Sequence, residues 1–131
     1  MKTSDQLILD AKQHIQEISV KDFHKIWTTN HDLILIDVRE PEEYQEASID
    51  RSVNFPRGLL EMKIAQHPLV NHHCNEEISL KELSQKDIYI ICKTGGRSAL
   101  ATLSLQKMGF TKLFSVQGGI QTWLNENLPI N

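Results

Sequence analysis

The chain alternates between short runs of consecutive apolar residues and longer stretches in which apolar residues recur every three or four positions. Two runs are nearly continuous, Leu33–Val38 and Ile88–Cys92, and shorter ones lie at 52–55 and 112–116. Continuous apolar runs of this length are typical of strands that are buried on both faces of a mostly parallel sheet. The pattern therefore predicts strands at these places in the chain.

Between these runs, apolar residues recur at the spacing of a helix. Ser4 is predicted to cap a helix that reaches about Gln16, and Ser19 to cap a second helix. Four further stretches have helical spacing: 41–46, 58–65, 97–108 and 120–127. Because strands alternate with helices along the chain, the pattern indicates an α/β fold.

Length and charge limit the functions that this chain can have. Its 131 residues suffice for one domain that buries a core without disulfides or metal. The net charge of -3 and the absence of a dense lysine or arginine cluster argue against nucleic-acid binding, and no apolar stretch reaches membrane-spanning length. The start of the chain does not resemble a secretory signal, so we expect a reducing, cytoplasmic compartment and a small ligand.

The end of the second long apolar run carries the most informative residues. We call this segment the cysteine loop; it contains, in order, Cys92, Lys93, Thr94, Gly95, Gly96 and Arg97. Adjacent glycines let backbone N–H groups converge on one point, the following helix presents its positive end, and two cations flank the thiol. A cysteine at a helix N-terminus beside cations has a lowered pKa, so we expect Cys92 to react as a thiolate nucleophile.

The segment 66–80 is the least regular part of the sequence, and we expect it to be a loop. It contains His72, His73 and Cys74, but adjacent histidines without a second ligand cluster lack the usual spacing of a metal site, so no metal is predicted. Cys74 as a resolving thiol for Cys92 is left open, because the sequence gives no distance between the two sulfurs.

With these features the chain resembles a single-domain member of the rhodanese family of sulfurtransferases. The motifs that carry the resemblance are Leu35–Arg39 with Pro41–Tyr44, Ser52–Pro56, the cysteine loop with Ser98 and Ala99, and Gly118-Gly119 with Trp123 and Pro129. The resemblance implies a three-layer α/β fold, with helices around a central, mostly parallel sheet of about five strands. It also implies a domain at 19–131 and an N-terminal helical extension at 1–18.

In that family the cysteine carries sulfur as a persulfide, and this role transfers to Cys92. The resemblance implies a donor such as thiosulfate or a persulfide, and a thiol, cyanide or protein acceptor, without a cofactor. In thiosulfate-using members an arginine often precedes the aromatic residue that matches Tyr44, whereas Glu43 occupies that place here. The match therefore implies sulfur transfer more directly than it implies thiosulfate as the donor.

Charged residues around the cysteine loop have predicted roles as well. Lys93 is expected to meet an anionic donor, while Arg97 either contacts the ligand or ties down carbonyl groups or a carboxylate. Asp37 and Arg39 follow a buried strand, where α/β sheets place their ligand crevices, but a charged pair at a strand end more often forms a structural ion pair. Arg57 is predicted either at the rim of the same pocket or as an exposed loop residue.

Two alternative functions compete with sulfur transfer. Related phosphatases and arsenate reductases have one residue more between cysteine and arginine than the four present here, and the tighter loop suits a single sulfur atom better than a tetrahedral oxyanion. A non-catalytic binding or regulatory module is the second alternative. It has no need of the nucleophile, the glycine pair and Arg97 together, so we favour the transferase.

Overall fold

A computed structural model describes all residues from Met1 to Asn131. Its centre is one sheet of five parallel strands in the order β1-β5-β4-β2-β3. The strands are β1 Glu17–Ser19, β2 Ile34–Asp37, β3 Val53–Asn54, β4 Ile88–Ile91 and β5 Leu113–Gln117. The predicted α/β fold with a parallel sheet is confirmed.

Seven α-helices surround the sheet. They are α1 Ser4–Lys12, α2 Val20–Thr29, α3 Pro41–Glu46, α4 Leu60–Lys63, α5 Glu76–Leu83, α6 Gly96–Met108 and α7 Gly119–Asn125. A short 3-10 turn, Ile64–Gln66, continues α4. None of these helices combines the length and the apolar character that crossing a bilayer requires.

The core lies on both faces of the sheet, which explains the continuous apolar runs. Every residue of β2 and β4 is buried, and successive side chains alternate between two apolar clusters. Ile36 and Ile90 pack on one face together with α6, whereas Ile91 packs on the other face with Trp123 of α7. Because helices cover both faces, neither side of these strands needs polar residues.

The helix starts are partly as predicted. Ser19 caps α2, since its Oγ accepts a hydrogen bond from the Asp22 N–H at 3.1 Å. The prediction that Ser4 caps the first helix is wrong, because Thr3 does so: its Oγ1 accepts from the Gln6 N–H, and the Gln6 side chain accepts from the Thr3 N–H. This reciprocal pair satisfies two backbone donors and moves the cap one residue earlier.

Two local predictions are corrected by the structure. The first helix ends at Lys12 and not near Gln16, and the residues that follow lead into β1, a three-residue strand too short to show a pattern. The segment 66–80 is not irregular throughout, because α5 begins at Glu76. Asn75 starts α5 by accepting a hydrogen bond from the Ile78 N–H at 3.2 Å.

The register of the sheet brings the functional segments together. Asp37 lies beside Ile91 on the neighbouring strand, and Ile90 lies beside Ser115. The segments after β2, β4 and β5 therefore leave the sheet at the same edge, where parallel α/β sheets form their binding crevices.

Candidate active site

Cys92 is the first residue of the cysteine loop and immediately follows β4. Its Sγ accepts a hydrogen bond from the Gly95 N–H at 3.0 Å, and the thiol donates to Ser98 Oγ at 3.5 Å. Gly95 has a φ of +105°, a conformation that glycine adopts without steric cost. Cys92 is only 1 % exposed, and it is not among the residues that line the neighbouring cleft.

Further backbone N–H groups in this segment have no acceptor within the protein. They belong to Lys93, Thr94, Gly96, Arg97 and Ser98. Three of them form the first turn of α6, where intrahelical acceptors do not exist and where the helix dipole favours negative charge. The segment around Cys92 therefore favours the binding of an anionic group.

The start of α7 packs directly against the cysteine loop. The Ile120 N–H donates to the Cys92 carbonyl at 2.9 Å, and the Gln121 N–H donates to the Lys93 carbonyl at 3.0 Å. Gly119 has a φ of +57°, and a Cβ there would lie 2.3 Å from the Cys92 carbonyl oxygen. The sequence indicated only a tight turn at this glycine, whereas its main effect is to let α7 approach the loop.

Arg97 closes the loop by binding a carboxylate on α3. Its Nη1 and Nη2 lie 2.7 and 3.1 Å from the two carboxylate oxygens of Glu43, a bidentate ion pair. The hydrogen bond from Arg97 lowers the pKa of Glu43 to about 2, and the same contact raises the pKa of Arg97. Of the two roles left open for Arg97, the structure shows the one that ties down a carboxylate.

Asp37 and Arg39 form a second, fully buried ion pair. Arg39 Nε and Nη2 donate to the Asp37 carboxylate at 3.0 and 2.9 Å, and Nη2 also donates to the Ala47 carbonyl at 2.6 Å. The pair therefore fixes the segment that follows α3 against the end of β2. Arg39 also lines a cleft beside the cysteine loop.

A cleft of about 300 Å³ adjoins the cysteine loop. The residues that line it are Arg39, Glu43, Glu46, Ala47, Lys93, Ile120, Gln121 and Leu124. Arg39 and Glu43 are neutralised by their ion pairs, so Lys93 and Glu46 are the charged side chains of the lining that lack an ionic partner. The cleft thus has no excess of positive charge.

Arg57 does not line this cleft. It donates to the Glu61 carboxylate at 3.2 Å and to Ser104 Oγ at 2.8 Å, and so it connects α4 with α6. Cys74 is an exposed free thiol in a separate depression, which it shares with His73 and other residues that are absent from the cleft.

Several parts of the site are not apparent from the sequence. No local signal marks Glu43 as the partner of Arg97, or Glu46 and Leu124 as parts of the cleft. The closeness of Ser98 to the sulfur also follows only from the helical turn after the loop. The glycine pair at 118–119 was the one local signal that a second helix approaches the cysteine loop.

Comparison with known proteins identifies the family. Residues 19–126 match the model of the rhodanese-like domain. The chain belongs to the rhodanese-like domain family. The match includes the whole cysteine loop, and it confirms the resemblance inferred from the sequence motifs.

Two relatives of this rhodanese-like domain are longer proteins. The chain is 33% identical over 129 residues to an adenylyltransferase and sulfurtransferase of Oryza sativa subsp. japonica, which covers 98% of this chain and 28% of the relative. It is 34% identical over 110 residues to a candidate sulfur carrier protein of Bacillus subtilis, covering 83% of this chain and 51% of the relative. The chain therefore spans about half or less of the length of these relatives.

A solved structure supports the same assignment. The polysulfide-sulfur transferase homodimer of Wolinella succinogenes is 30% identical, with a TM-score of 0.71. The superposition covers 95% of this chain and 84% of the Wolinella chain. The rhodanese-like domain described here thus has the same arrangement of strands and helices as a solved sulfur transferase.

Proposed function

We propose that this rhodanese-like domain is a sulfurtransferase that carries sulfane sulfur as a persulfide on Cys92. The observation that carries the proposal is the position of Cys92 Sγ, which accepts the Gly95 N–H beside unpaired amides at the start of α6. These amides would stabilise the negative charge of a terminal sulfur in the way an oxyanion hole stabilises oxygen. The names of these relatives support the same chemistry.

The reaction would proceed in two displacement steps. The Cys92 thiolate attacks the outer sulfur of the donor, a new S–S bond forms, and the donor's own bond to that sulfur breaks. The leaving group, a thiolate or sulfite, departs with the electron pair. An acceptor thiolate or cyanide then attacks the terminal sulfur, and the electron pair returns to Cys92 Sγ, so no external oxidant or reductant is needed.

The cleft supports a persulfide donor more than it supports thiosulfate. Thiosulfate is a dianion, and a site that selects it needs an excess of positive charge. The lining of this cleft contains Lys93 and Glu46, whose charges cancel, and the two arginines nearby are already paired with carboxylates. A thiol-derived persulfide, which presents less charge, fits the apolar side chains of Ile120 and Leu124.

The acceptor in this proposal is a small thiol, cyanide or a protein that accepts sulfur. A protein acceptor is supported by relatives whose names combine adenylyltransferase with sulfurtransferase or denote a sulfur carrier. The proposal places the protein in the cytoplasm, because the reaction needs a reduced thiol and both cysteines are free.

Phosphatase chemistry is disfavoured by two features of the same loop. The guanidinium of Arg97 is held by both oxygens of Glu43, and Cys92 is 1 % exposed. A phosphate ester needs both a free guanidinium and room for a tetrahedral group beside the sulfur. A single sulfur atom needs neither.

The test is sulfur loading followed by intact mass spectrometry. The protein is incubated with thiosulfate or with a low-molecular-weight persulfide, and the wild type is expected to gain one sulfur atom that cyanide removes. Cys92→Ser should abolish the gain, whereas Cys74→Ser, which changes the other free thiol, should retain it. Equal loading of the wild type and Cys92→Ser would contradict the proposal, as would the absence of loading with both donors.

A further inference from the structure

A second group of chemically active side chains lies away from the cleft. We call His72, His73 and Glu82 the histidine cluster. One ligand atom from each of the three residues lies within 4.8 Å of the other two. His73 Nε2 is 2.5 Å from Glu82 Oε2, and the ring centroids of His72 and His73 are 4.0 Å apart.

Hydrogen bonds to the backbone hold the segment that carries the two histidines against α5. The two histidines belong to the segment before α5, and Glu82 belongs to α5 itself. The segment is anchored by the fully buried Val70, whose carbonyl accepts a hydrogen bond from Ser79 Oγ of α5 at 3.0 Å. The His73 N–H also donates to the Val70 carbonyl, at 3.3 Å, so the backbone holds the histidines beside the helix.

An ion pair between His73 and Glu82 does not account for the whole cluster. The His72 ring makes no hydrogen bond within the protein, although it packs beside the His73 ring. Glu76 lines the depression on one side of His73, and Lys81 lines the depression on the other. The immediate surroundings therefore have no excess of positive charge to repel a cation.

We propose that the histidine cluster is a binding site for a divalent transition metal ion of the zinc class. Two imidazoles and one carboxylate form a ligand set that zinc accepts, and three protein ligands leave the fourth position for water. Hard ions such as Mg²⁺ and Ca²⁺ prefer sites made of oxygen atoms alone. The ligand types thus select zinc, cobalt, nickel or copper.

Small side-chain movements would complete the geometry. With zinc-to-ligand bonds of about 2.1 Å, the ligand atoms of a tetrahedral ion lie about 3.4 Å apart. A pair of ligand atoms at the 4.8 Å limit would approach by about 1.4 Å, and the His73–Glu82 contact would open from 2.5 Å by about 1 Å to admit the ion between them. Both changes are within the reach of side-chain rotation at the protein surface.

The sequence did not predict this site because adjacent histidines lacked a second group of ligands. Glu82 supplies that ligand nine residues after His73, and the cap at Asn75 with the start of α5 brings it back to the histidines. The site is independent of the proposed sulfur transfer, since none of its residues lines the cleft.

The experiment is a calorimetric titration with zinc chloride. It uses the full chain in a background of Cys92→Ser and Cys74→Ser, so that thiolates do not bind the ion. We expect one ion per chain and a rise in the melting temperature with zinc, because an ion that binds only the folded state stabilises it. Cobalt in place of zinc should give the absorption bands of a four-coordinate ion.

Two ligand variants and one matched control make the test specific. His73→Ala and Glu82→Gln should each weaken zinc binding by about tenfold or more. His14→Ala, which removes an exposed histidine elsewhere, should bind zinc like the background protein. The proposal is wrong if the background protein shows no saturable binding, which would leave the cluster an ion pair only. It is also wrong if the ligand variants bind as tightly as the control.

Discussion

At the scale of single residues, the site depends on contacts that hold the cysteine loop in shape. The Glu43 carboxylate is the clearest case, because it binds both Nη atoms of the Arg97 guanidinium and connects the loop to α3. Its low pKa measures how strongly the folded protein favours the charged form. This contact therefore contributes to stability in a way that depends on pH.

The pH dependence has a definite sign. The pKa of Glu43 is lowered from 4.5 to about 2 in the folded protein, so its stabilisation is complete above the unfolded value and is lost as the pH falls towards 2. Since both side chains are about one-third exposed, solvent screening reduces the effect to about 1–2 kcal/mol. Glu43→Gln should be destabilised by this amount at pH 7 and by less at pH 3.

Urea unfolding at both pH values measures this difference. Glu42→Gln is the control, because Glu42 is exposed on the same helix and makes no ion pair. An equal loss of stability in both variants, or a difference that does not change with pH, would show that the ion pair is not its source.

Gly119 permits the close approach of α7 to the cysteine loop. Gly119→Ala would place a Cβ 2.3 Å from the Cys92 carbonyl oxygen in a left-handed conformation, so the two segments must separate. We expect a loss of about 3 kcal/mol or more and slower sulfur loading. Gly109→Ala has a still larger positive φ, +112°, but open space around the new Cβ, and it should cost about 1–2 kcal/mol. Similar losses in the two variants would contradict the role of the contact.

At the scale of elements, α1 extends beyond the region matched by the family model and still reaches the active site. Ile8 lies over Gly96 at the start of α6, so close that an added Cβ on Gly96 would meet the Ile8 side chain at 2.9 Å. The division into an extension at 1–18 and a domain at 19–131 stays a prediction. The contact itself shows that α1 packs on the helix that presents the unpaired amides.

Shortening this side chain should loosen the start of α6. Ile8→Ala is expected to lower stability by about 1 kcal/mol, since the residue is partly buried. It should also slow sulfur loading several-fold, because small displacements of positioning groups reduce rates strongly. Leu9→Ala changes a neighbour that is 61% exposed and should leave both quantities nearly unchanged. Equal loading rates in wild type and Ile8→Ala would show that α1 does not position the loop.

The elements also show what a sequence can and cannot predict here. The cysteine loop was predictable because its nucleophile, glycines and cations are adjacent in the chain. Its partner Glu43 was not, since 54 residues separate it from Arg97 and only the pairing of β2 with β4 brings α3 beside the loop. Strand β1 was missed for another reason, because three residues are too few to reveal a period.

At the scale of the whole molecule, net charge bears on the sulfur donor that we propose. The chain carries a net charge of -3, and the cleft adds no excess of cations to offset it. A dianionic donor therefore meets an unfavourable field at a distance and no compensating excess of cations in the cleft. Glu46 is the carboxylate through which this can be changed, because it lines the cleft without an ionic partner.

Replacing this carboxylate by a cation should change donor preference. Glu46→Lys makes the cleft more positive by two charges, so loading from thiosulfate should accelerate several-fold relative to loading from an alkyl persulfide. Glu42→Lys changes the total charge equally on the same helix but outside the cleft, and it should have a smaller effect. The advantage should shrink as salt rises from 0.01 to about 0.15 M, because screening shortens the reach of surface charges.

If both variants accelerate thiosulfate loading equally, the electrostatic field of the whole protein, and not the charge of the cleft, determines the donor preference. If neither does, charge does not determine donor preference in this protein.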